Sequence, residues 1–157
     1  MELKQQAIKA TVAVSSRVVV GMKNPVILLK ISYIIGAILD TLVAVQMLFP
    51  DVLALTAGLG AFVPGPDYLY ASYMSGIMMI GWTVLLIWGY MKPVERKDVL
   101  LITAFPVVVG LMISDILSTA AGFLPQLTAI VFLVSQIFLL ILFTLSYVLN
   151  RPKTETK

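Results

Sequence analysis

Two aspartates, Asp40 and Asp115, stand deep inside long apolar stretches, each ten residues ahead of a proline, Pro50 and Pro125. An ionised Asp at the centre of a membrane-spanning helix costs about 2.5–3.5 kcal/mol. Carboxylates held at such a cost can bind a cation, carry protons or orient a polar ligand. Residues within reach of the pair across a helical bundle are Ser72, Ser75, Tyr73, Ser118 and Gln136. Together they make an expected ion, proton or small polar-ligand site. The structural alternative is that the two carboxylates are simply hydrogen-bonded to Ser and Thr on neighbouring helices. On helical spacing Tyr33, Gly36, Ala37, Asp40, Ala44 and Met47 share one face, and small residues there permit close helix contact.

The elements that must position this pair are legible from hydropathy. The chain has 157 residues, 60% hydrophobic and 12% charged, whereas soluble domains are nearer a quarter charged. So much apolar surface requires lipid as solvent. Four spans are expected, at about 25–49, 68–91, 99–121 and 126–148, each long enough for a hydrocarbon core of about 30 Å. The expected fold is an all-α integral membrane protein, a four-transmembrane-helix bundle over 25–149. Residues 1–24 form a basic N-terminal segment with a possible interfacial helix, and 150–157 a short tail. The first span is read as uncleaved: it is too long for a signal peptide's apolar region and contains Asp40.

One threading places all eleven basic residues on one side. Lys4, Lys9, Arg17, Lys23 and Lys30 precede or open the first span, Lys92, Arg96 and Lys97 lie between the second and third, and Arg151, Lys153 and Lys157 follow the fourth. Segments 50–67 and 122–125 contain no Lys or Arg. The positive-inside rule then puts both termini in the cytoplasm, in a multi-pass protein of the plasma or inner membrane. Lys30, Arg96 and Lys97 are expected to face anionic lipid headgroups, and the net charge of +3 calls for no nucleic-acid partner.

Local signals mark the boundaries. Asn24-Pro25 reads as a cap and first helical residue; Asp67 and Asp98 read as caps of the second and third spans; 50–67 reads as a long, oddly apolar loop; Pro106 should kink the third span. Asp40 and Asp115 each stand ten residues ahead of a proline and about one turn after a glycine, Gly36 and Gly110, a recurrence that suggests two similar helical hairpins.

With neither Cys nor His, thiol nucleophiles, disulfides, Cys/His zinc sites and histidine acid–base catalysis are excluded. No glycine-rich phosphate motif is present, and no cofactor is expected. The leading expectation is a small transport or permeation protein with an intramembrane carboxylate site. Four short spans rarely enclose a pathway alone, so a homo-oligomer or a larger membrane complex is expected. One alternative is a non-catalytic accessory, assembly or lipid-binding subunit. The other, less favoured, is a lipid-modifying enzyme using Asp40 and Asp115, with Tyr73, as acid and base.

Overall fold

A computed structural model describes residues 25–60 and 62–150. The expected interfacial helix in 1–24 and the tail beyond 150 lie outside the described residues. Every regular element among those described is helical.

Prolines punctuate the first half of the chain. Pro25 opens α1 (Pro25–Leu48), whose end is set by the next proline: Phe49, forced out of helical geometry ahead of Pro50, has φ −125° and ψ 89°. Pro50 then starts a second helix, α2 (Pro50–Ala57). The segment read as a loop is therefore partly helical. Pro50 suits the first position, Asp51 suits the positive end of the dipole, and Gly58, at φ +68°, closes the helix in the left-handed region. Of its apolar residues Leu53 and Ala57 are buried, whereas Leu55 is exposed.

Pro66 likewise opens α3 (Pro66–Met91), with Gly65 as its cap. α4 runs Asp98–Ala120 and α5 Gln126–Leu149. Asp67 and Asp98 do not cap: both lie inside first turns, behind Gly65 and Lys97, and neither helix has a side-chain cap bond. Their charge acts on the helix dipole instead. The expected kink at Pro106 takes the form of a π-helical turn, Thr103–Val108, between α-helical Asp98–Ile102 and Val109–Ala120. Widening the turn relieves the clash between the proline ring and the preceding carbonyls.

α1, α3, α4 and α5 are each long and apolar enough to cross a membrane. Rows of large apolar side chains, among them Ile38, Ile77, Leu117 and Ile141, stay exposed on their outer faces. Water would not tolerate these rows, so they point to a multi-pass membrane protein.

The chain folds as two sequential hairpins. α1 packs most extensively on α3, α5 contacts both α1 and α4, and α3 meets only the first turns of α4. Residues Val109–Ala120 pack extensively only on α5 and bury none of their side chains. The α1–α3 seam depends on missing side chains. A Cβ at Gly76 would fall 2.8 Å from Leu48, and one at Gly89 would strike the ring of Tyr33.

The four described cations, Lys30, Lys92, Arg96 and Lys97, lie at one end of the bundle, called here the basic end. It is tied by Tyr33 donating to the Arg96 carbonyl (2.6 Å), Lys97 donating to the Asn150 carbonyl (2.9 Å) and Asn150 donating to the Pro25 carbonyl (3.0 Å). Just inside it lies the larger core: Leu29, Tyr33, Leu86, Val99, Leu100, Ala104, Val108 and Phe143. Ser32 and Ser146, both fully buried, share a 2.6 Å hydrogen bond beside it. A smaller core of Leu53, Ala57, Leu124 and Ala129 closes the far end.

Candidate functional site

Between the two cores lies a cavity of about 490 Å³. It exists because α1 and α3 hold together along their length while the later part of α4 leans on α5 alone. Its floor toward the basic end is Leu86, Val108 and Phe143; toward the far end it reaches Leu53 and Leu124. Three rings gather over that far end. Phe62 and Tyr68 meet edge-on at 5.0 Å between centroids, Phe62 and Phe123 at 5.6 Å, and Tyr68 and Phe123 lie 6.5 Å apart. Edge-to-face contact at these distances is favourable.

Asp40 of α1 and Asp115 of α4 both line this cavity. Counting along α1 at about 1.5 Å per residue puts Asp40 roughly 15 Å from Lys30 and roughly 12 Å from the end at Leu48. Each carboxylate has one side-chain partner among the described residues. The Thr83 hydroxyl donates to Asp40 Oδ2 at 2.7 Å, and Gln136 Nε2 donates to Asp115 Oδ2 at 2.8 Å. Gln136 Oε1 is buried and has no partner among the described residues. No Lys or Arg lines the cavity, and the one ion pair among the described residues, Lys92–Glu95 at 3.1 Å, lies in the turn at the basic end.

The remaining expected site residues divide. Ser72, Ser75, Ser118 and Gln136 line the cavity with the two aspartates. The Ser72 hydroxyl donates across the seam to the Met47 carbonyl (2.6 Å), and that of Ser75 to the Ala71 carbonyl (2.8 Å). Tyr73 is not brought to the cavity: it is 44% exposed on the outer side of α3. The ring nearest the aspartates' cavity in this part of α3 is Tyr68, which lines it.

Three polar residues at or beside the cavity were not assigned a place from sequence: Thr83, Ser135 and Thr103. Thr103 is buried and accepts from Trp82 Nε1 at 3.1 Å, joining α3 to the π turn. Gln46 donates to Thr56 (2.9 Å), and Thr128 to the Ala57 carbonyl (3.0 Å), fixing α2 over the far end. Thr83 lies in Gly81-Trp82-Thr83, the polar break in α3, and that break was the available signal.

At the basic end the cations are largely engaged by the protein. The Arg96 guanidinium stacks on the Trp88 ring, 3.6 Å from its centroid, and donates to the Trp88 carbonyl. Lys97 sits 5.8 Å from the Tyr147 ring besides its bond to Asn150. Lys30 is exposed, 5.7 Å from the Tyr90 ring. Aromatic rings beside cations are the usual furniture of a membrane interface.

The arrangement offers two carboxyl groups, with hydroxyls and amides beside them, in a chamber whose walls are otherwise apolar. Searches against models of protein families, curated proteins and solved structures found no match to this chain.

Proposed function

We propose that this chain is a small transport or permeation protein of the cell membrane, with Asp40 and Asp115 as the carboxylates of an intramembrane site for a cation or protons. One observation carries the reading: two carboxylates from different helices line one cavity to which no cationic side chain contributes. Inside a membrane an uncompensated charge is costly, so the charge balance has to come from protons or a bound cation. Ser72, Ser75, Ser118 and Gln136 add polar groups on the same walls. The cytoplasmic placement of both termini follows from the one-sided distribution of Lys and Arg in the sequence, and the homo-oligomer from the difficulty of enclosing a path with four helices. Lys30, Arg96 and Lys97 then belong to the anionic headgroup layer. The shared Asp-to-Pro spacing of α1 and α4 supports descent of the two hairpins from one.

The test is flux in proteoliposomes. Wild-type protein is expected to carry protons or a monovalent cation down a gradient, read by an internal dye. Asp40→Asn and Asp115→Asn are each expected to abolish it while keeping the wild-type elution profile. Equal flux in wild type and both variants, or none in any, overturns the reading.

A further inference from the structure

The walls of the cavity narrow the ligand class, and the argument rests on the transport reading above. Every charged group facing the chamber is an acceptor: Asp40 from α1 and Asp115 from α4, with Tyr68 of α3 the one other titratable group. α2 and α5 contribute none. Anions are therefore unfavourable. A divalent metal ion fits little better: Ca²⁺ and Mg²⁺ sites are built on charged oxygen ligands, and no cluster of three or more acidic, Cys or His residues able to hold a metal occurs among the described residues. The rest of the wall combines serine, threonine and glutamine side chains with a larger apolar surface that includes Leu39, Val43, Leu111, Phe132 and Leu139. A hydrated ion would leave that surface against water. The volume of about 490 Å³ is that of a pocket for an organic molecule.

The partners of the two carboxylates add a second argument. A hydroxyl both donates and accepts, and so does a primary amide. Thr83 donates to an ionised Asp40, and the same oxygen accepts from Asp40 when protonated. Gln136 donates to an ionised Asp115 through Nε2; turning its amide over presents Oε1, now without a partner, to the protonated acid. Each Asp thus keeps a hydrogen bond in either protonation state. A partner such as Lys or Arg would have fixed the ionised form.

We infer that the cavity takes a monovalent organic cation, an ammonium group on an apolar body, in exchange for protons held by Asp40 and Asp115. The ammonium lies among the carboxylates and serine hydroxyls, and the body lies against the aliphatic wall. Each arriving cation displaces a proton from a carboxyl group, which leaves to the aqueous side, so the charge of the chamber is conserved.

Calorimetric titration of the purified full chain in detergent tests this with phenethylammonium and its neutral counterpart of similar shape, phenethyl alcohol. At about pH 8 the ammonium should bind about tenfold more tightly than the alcohol, and weaken about tenfold at about pH 5. Runs in buffers of different ionisation enthalpy should show protons released on binding. Asp40→Asn and Asp115→Asn should each erase the preference for the charged probe, and Asp115→Glu should retain it. Equal binding of the two probes, or binding of neither, overturns the inference. Proteoliposome flux then separates the two levels. Asp-dependent flux of protons or sodium with no organic-cation binding retains the transport reading alone, and absence of both removes both.

Discussion

The two halves of the bundle solve the same packing problem differently. Near the basic end, Tyr33, Leu29, Leu100 and Phe143 are almost wholly buried and four helices meet. Beyond Asp40 the later part of α4 stands apart from α1 and α3 across a chamber, up to the small far-end core, and Val109–Ala120 buries nothing. The contrast follows from side-chain size and chemistry. Tyr33 fits because Gly89 leaves room for its ring, and its hydroxyl then reaches the Arg96 carbonyl. On α4, Ser114, Asp115 and Ser118 are too small or too polar to fill the space before α1. Stability is thus concentrated in one half and polar chemistry in the other.

Six single substitutions probe that division, in order of expected effect. Leu100→Ala should cost about 2–5 kcal/mol, toward the low end because lipid removes much of the transfer contribution and leaves the packing loss. Leu111→Ala, on the cavity wall, should cost less than half as much; unfolding in mixed micelles compares the two, and equal losses would erase the contrast. Gly89→Ala pushes on the Tyr33 ring and should cost about 1–3 kcal/mol, with part of the thermal shift recovered when Tyr33→Ala is added. Trp82→Phe, which removes the bond to Thr103, should cost about 0.6 kcal/mol. Asp40→Asn and Asp115→Asn should leave stability unchanged or raise it by about 1 kcal/mol at most, as expected of groups kept for function. A large loss in either would make that carboxylate a structural anchor.

The pair of aspartates was legible because charge inside an apolar helix is conspicuous on its own chain. Membrane-length helices were legible for the same reason. Partners across helices were not. That Thr83 meets Asp40 depends on how far α3 is shifted along α1, a shift set by Gly76 and Gly89, and one sequence does not specify it. Tyr73 and Tyr68 lie five residues apart on α3, and hydropathy cannot tell which ring turns inward. α2 was hidden because Pro50 serves at once as the stop of one helix and the first residue of the next. Pro106 announced a disturbance, but whether it bends the helix or widens it depends on neighbours such as Trp82, whose indole is tied to the turn.

That widened turn has a mechanical consequence. Asp98–Ile102 is held in the large core at Val99 and Leu100, whereas Val109–Ala120 is held on one side only. The turn between them is the place where the backbone ladder is already interrupted. α4 therefore has a foot set in the large core, a joint at the interrupted ladder and an arm, carrying Asp115, that packs on α5 alone. A rotation of about 20° at the joint would sweep the tip of an arm roughly 18 Å long by about 6 Å. The arm ends in the short turn that carries Phe123, so the same swing would lift one of the three rings from the far end of the chamber while the basic end stood still.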